Sequence, residues 1–160
     1  MGNGNRGQGQ RNQGGGYRDS RDMPPRPPLN TTGIDLRPDA QGKLDPALFD
    51  TTAQAAAKAV AGDDRNQANK PSQIRQFYDE LVMWEEKARG ERERFEEFLP
   101  FIRMLNAKAA YAEGRKTVDK HFVALIGHCL GQVDNYETLR NFKLFFEAFL
   151  GFYKLERPSG

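Results

Sequence analysis

The sequence predicts an all-α fold, a compact bundle of about four to five helices after a disordered N-terminal extension. Three observations carry this. From Pro71 onward apolar residues recur at spacings of three and four, and the alternating pattern of strands is nearly absent. The 11 Phe, 5 Tyr and single Trp fall mostly after residue 77, so a core can be built there. Residues 1–45 are instead rich in Gly, Asn, Gln, Arg and then Pro, with too little apolar surface to offset the entropy of ordering a backbone. The organisation drawn from this is a mostly disordered extension over 1–69 with a short helix at 46–61, a helical domain over 70–156 and a tail at 157–160. Removing residues 1–69 is then expected to leave the melting transition nearly intact.

Each element has a local reason. Asp45 and Pro46 can start a short alanine-rich helix ending at Gly62, although an isolated alanine helix of this length is marginal. GDDRNQANK then reads as a linker. Ser72 is a plausible N-cap for a helix whose stripe is Ile74, Phe77, Tyr78, Leu81, Val82, Trp84 and Ala88, interrupted at Gly90. GERERFEEFL reads as a solvated helical surface. Pro100 is expected to break or kink it, or to open a new helix running to Gly114. Thr117 starts the next, with Val118, Phe122, Leu125, Ile126, Cys129 and Val133 on one face, and Asp134 with Glu137 resembles a capping box.

The last helix carries a broad arc of Leu139, Phe142, Phe145, Phe146, Phe149, Phe152 and Tyr153, and a second stripe of Leu144, Ala148 and Leu155. Only a wedge with Arg140, Lys143, Glu147 and Lys154 stays polar. Such a helix needs neighbours on more than one side. Because a small bundle buries a limited fraction of its surface, part of this arc is expected to meet another subunit.

Composition narrows the function. With 24 basic against 22 acidic residues the net charge is +2, so an RNA site must be a local stripe rather than a global field. One cysteine leaves no internal disulfide framework and suits a reducing compartment. No apolar run follows the N-terminal arginines and none reaches a membrane span, so the chain is read as cytoplasmic. His121 and His128 stand about two helical turns apart, unlike the i,i+4 pair of a helical zinc site, and Cys129 sits amid an apolar stripe. They read as two edge histidines and a buried inert thiol. Neither an acid–base pair, a phosphate loop nor a partnered nucleophile is found, so no catalytic residue, metal or cofactor is assigned.

The better candidate is MLNAKAAYAEGRK, in which Met104, Lys108, Tyr111 and Arg115 form one helical ridge beside Phe98, Phe101, Ile102, Leu105, Ala109 and Ala112. Two cations flank one aromatic ring there. The ridge can pair with phosphates and stack a base or sugar, or it can be snorkelling cations around a core-edge tyrosine. Arg75 likewise can reach a ligand or pair with Asp79 at i,i+4. Two readings also stay open for the arginines and Tyr17 of the N-terminal tail, an RNA-associating segment and a solubilising one.

SQIRQFYDEL, MLNAKAAYAEGR and LRNFKLFFEAFLGFYK, in this order over about residues 70–156, resemble the small subunit of type III-A CRISPR (Csm) interference complexes. That resemblance implies a non-catalytic helical bundle that stacks with copies of itself and lines the path of guide RNA and target RNA in an antiviral ribonucleoprotein. Its partners would be the other subunits of the effector, with no membrane and no small-molecule substrate. The matching RNA-binding candidates are Arg75, Lys108 and Arg115, with Lys116 adjacent; Tyr111 comes from the ridge geometry. The alternative is a helical protein–protein adaptor without an RNA role, and a metal-dependent hydrolase using His121 and His128 ranks far below both.

Overall fold

Residues 25–158 are described by a computed structural model of the chain. Among them five α-helices follow one another, α1 (Thr51–Ala61), α2 (Pro71–Gly90), α3 (Phe95–Gly114), α4 (Lys120–Leu130) and α5 (Tyr136–Glu156), with a 3-10 turn at Arg92–Arg94 before α3. Among the described residues there is no strand.

α5 is the centre. Phe142, Phe145, Phe146, Phe149 and Tyr153 are each no more than 1% exposed, and successive rings meet edge-on or stacked, as in Phe146–Phe149 at 5.6 Å and Phe149–Tyr153 at 5.2 Å. α2 packs on it with Ile74, Phe77 and Leu81 buried. On another side lies α1, which presents Ala53, Ala56, Ala57 and Val60. Small side chains let two helix backbones come close, so this alanine face covers aromatic surface in little space. α3 packs against α4 and, less extensively, against α2.

The chain before α1 is part of this core. Ile34, Leu36 and Leu48 are buried, and the backbone at Ile34 and Leu36 is held by side chains of α4, of the turn after it and of α5. Gln132 accepts from the Leu36 N–H at 2.8 Å and donates to the Ile34 carbonyl at 2.9 Å. Asn141 donates to the Leu36 carbonyl at 2.9 Å. His128 Nε2 bonds the same Ile34 oxygen at 2.7 Å, and His121 Nε2 bonds the Pro27 oxygen at 2.8 Å. A carbonyl only accepts, so both rings carry their proton on Nε2. Arg26 donates to Asp119 at 2.7 Å and to the Ala59 carbonyl near the end of α1.

These contacts correct the expected organisation. A boundary at residue 70 cuts through the packing, and disorder does not hold for residues 25–45, because polar side chains from distant helices satisfy an irregular backbone that has few apolar anchors of its own. The expected short helix forms over a narrower range, at Thr51–Ala61. Much of the α5 arc is covered from within the chain, through α1 and the preceding arm, while Leu155 of its second stripe stays 76% exposed. The histidines are clamps on that arm, and His121 is buried rather than at an edge. Residues 1–24, with Tyr17 and the glycine-flanked arginines, lie outside the described residues.

Local signals shift by small steps. α2 begins at Pro71 with no side-chain cap, so Ser72 lies inside the first turn. α3 runs through Pro100 without ending. α4 starts at Lys120, capped by Asp119, which accepts from the His121 and Phe122 N–H groups at 3.0 and 3.1 Å. For α5 the capping box belongs to Asn135 and Thr138, one residue beyond the expected pair.

Candidate nucleic-acid interface

The outer edges of α2 and α3 enclose an open groove of about 400 Å³. From α3 come Lys108 and Tyr111, with Arg115 just past the helix end; from α2 come Gln73, Gln76 and Glu80, over a floor that includes Phe77. Tyr111 is 67% exposed, and the Arg115 guanidinium lies over its ring at 5.8 Å from the centroid. Lys108 donates to Glu80 across the groove.

Of the five expected contact residues the fold brings three together, Lys108, Tyr111 and Arg115. Arg75 lies elsewhere, in a second cleft between the start of α2 and the end of α5 with Glu147 and Lys154. It bonds Asp79 at 3.3 Å and sits 5.6 Å from the Tyr78 centroid. Lys116 does not line the groove. It adopts φ 61, in the left-handed region costly for a side-chain-bearing residue, where the chain turns out of α3 and its N–H bonds Glu113 at 2.8 Å.

Sequence reasoning missed the α2 side of this site. Gln73, Gln76 and Glu80 fall at i, i+3 and i+7, a polar edge beside the apolar stripe, but only the packing of α2 against α3 makes that edge a wall. Phe101 is a further correction, since it is 55% exposed rather than part of the buried stripe. Its ring stacks on Trp84 at 6.2 Å and 16°. Met104 at 51% and Met83 at 44% exposure are the other large apolar side chains left in water on α3 and α2.

Other polar groups have structural partners. Glu85, buried, accepts from the Tyr136 hydroxyl at 2.9 Å and faces Arg89 at 3.4 Å. Burial, then the Glu85 hydrogen bond, pushes the Tyr136 hydroxyl pKa up. Burial raises the Cys129 thiol far above its usual range, which makes it a packing group. Among the described residues no cluster of three or more His, Cys, Asp or Glu could hold a metal ion, and no helix is long and apolar enough to cross a membrane.

Among known families, a model described as Csm2 Type III-A matches residues 44–159. That range includes all five helices. No curated protein and no solved structure matches the chain.

Proposed function

The chain belongs to the Csm2 family of type III-A, a structural subunit of the type III-A CRISPR complex, and from that premise we propose that it acts there as a non-catalytic spacer whose α2–α3 groove contacts RNA. Copies pack against one another in the cytoplasmic particle and line the path of guide and target. The observation supporting RNA contact is the convergence of Lys108, Tyr111 and Arg115 on one exposed groove. Cations spaced beside an accessible ring suit a phosphodiester chain, which offers charge at each linkage and a face for stacking at each base. Arg75 and Lys116, away from the groove, would at most touch a longer strand.

The Lys108→Ala, Arg115→Ala double variant in the reconstituted complex tests this. Weaker RNA engagement with unchanged helicity is expected, and unaltered RNA affinity would remove the groove from the RNA path.

The exposure of Phe101, Met104 and Met83 favours the second reading, an adaptor that only holds proteins together. Salt separates the two. Phosphate contacts make affinity fall linearly in log–log terms as salt rises, whereas an apolar contact is nearly indifferent to it.

A further inference from the structure

The two cations flanking Tyr111 are not equivalent. Lys108 is engaged by the Glu80 carboxylate from the facing helix, whereas Arg115 meets no carboxylate among the described residues and rests over the Tyr111 ring. The pair is accessible, with the Glu80 side chain 24% and the Lys108 side chain 49% exposed. To an ammonium group, a carboxylate and a phosphodiester are the same kind of acceptor, an anionic oxygen. Glu80 therefore stands where a phosphate would have to stand.

We infer that Glu80 is the selectivity residue of the groove: its carboxylate occupies Lys108 when no strand is bound, and RNA reaches Lys108 only by displacing it. This rests on the reading of the groove as an RNA contact. A lone phosphate arriving at Lys108 gains one ionic contact, breaks one, and leaves Glu80 facing a new negative charge, so the exchange is close to neutral. Free phosphates and mononucleotides are rejected on that account. A strand already held at Arg115 or at neighbouring sites presents its next phosphate at high effective concentration, and the same exchange then proceeds. The residues sit on opposite walls, so displacement asks only for side-chain rotation.

The test is an anisotropy titration of the full-length chain against fluorescein-labelled oligouridylate, started at low salt where phosphate contacts are strongest. Glu80→Gln should tighten binding about two- to fivefold, the range for releasing one exposed ion pair. It should also steepen the log–log salt dependence by up to about 0.7, since no displaced carboxylate then takes up a cation as the strand reaches Lys108. Both gains should vanish in Glu80→Gln, Lys108→Ala. Glu86→Gln removes the same charge from α2 outside the groove and should reproduce neither gain. If Glu80→Gln matches the unaltered chain while Lys108→Ala, Arg115→Ala binds more weakly, this assignment fails and the RNA groove survives. A gain that persists without Lys108, or that Glu86→Gln equals, also overturns it, because the effect would then be one of net charge. No binding by Glu80→Gln even at low salt, together with no effect of the double alanine variant in the assembled complex, removes both proposals.

Discussion

α5 and α3 are similar in length, at 21 and 20 residues, and each carries a run of aromatic residues, yet they end in opposite situations. Around α5 the aromatic arc is covered by α1, α2 and the irregular arm, and Phe142, Phe145, Phe146 and Phe149 are shielded from water. Along α3 one face packs inward through Phe98, Ile102, Leu105 and Ala109, while Phe101, Met104 and Tyr111 stay more than half exposed. The difference lies in who covers the helix. For α5 the cover is a segment that looks unfoldable alone and is pinned by Gln132, Asn141, His121 and His128; for α3 no described segment plays that part, and the uncovered face is where a partner or a strand finds room. The covered side of the bundle thus holds the buried aromatic core, and the other side keeps apolar and cationic side chains in water.

The largest expected effect breaks the covered side. Deleting residues 1–61 should expose the α5 arc and lower the melting temperature by well over about 10 °C, since several buried apolar side chains contribute about 1.5–3 kcal/mol each. Thermal unfolding followed by circular dichroism measures it, and a near-native transition would show the arm to be dispensable, as composition alone suggests.

A gentler cut leaves the arm in place but removes its clamps. His128→Ala with Gln132→Ala strips the Leu36 N–H and Ile34 carbonyl of the partners described above, and about 2–4 kcal/mol should be lost in urea unfolding. Phe149 and its neighbours would be untouched, so the measurement isolates the backbone clamp from the aromatic core.

Asp119 sharpens the comparison through pH. Burial works to raise its pKa, but Asn69, Arg26 and the Phe122 N–H outweigh that and hold it below its ordinary 3.8. A carboxylate depressed in the folded state contributes stability that is complete above the unfolded pKa and is lost as pH falls through the folded one. The melting temperature should therefore drop as pH falls below about 4. Asp119→Asn should flatten that part of the curve at a cost of about 1 kcal/mol near neutrality.

The smallest expected effect is on the open side. Phe101→Ser with Met104→Ser alters side chains already more than half in water, so stability should change by less than about 1 kcal/mol. Incorporation into the reconstituted complex should suffer if these side chains make a protein contact, with light scattering or co-purification as the measurement. A large stability loss would mean that α3 is as dependent on covering as α5.

Much of this was legible in the sequence. The three- and four-residue spacing located α2 to α5, and the ridge of Met104, Lys108, Tyr111 and Arg115 falls on an exposed face. The second half of the site was hidden, since Glu80 enters through a contact 28 positions distant in the chain. His121 and His128 could not be interpreted either, because their acceptors lie 94 positions away and are backbone carbonyls, which leave no side-chain signature.

By itself the sequence determined the helical class, the order of the helices and the aromatic arc of α5, because periodicity and propensity are local and act wherever the chain is. Tertiary structure alone decided that residues 25–61 cover that arc, that Gln73, Gln76 and Glu80 face the cationic ridge, and that Phe101 is left in water. These depend on which surfaces meet. The free energy of burying a face, or of satisfying an irregular backbone, belongs to both partners at once and cannot be read from either segment alone.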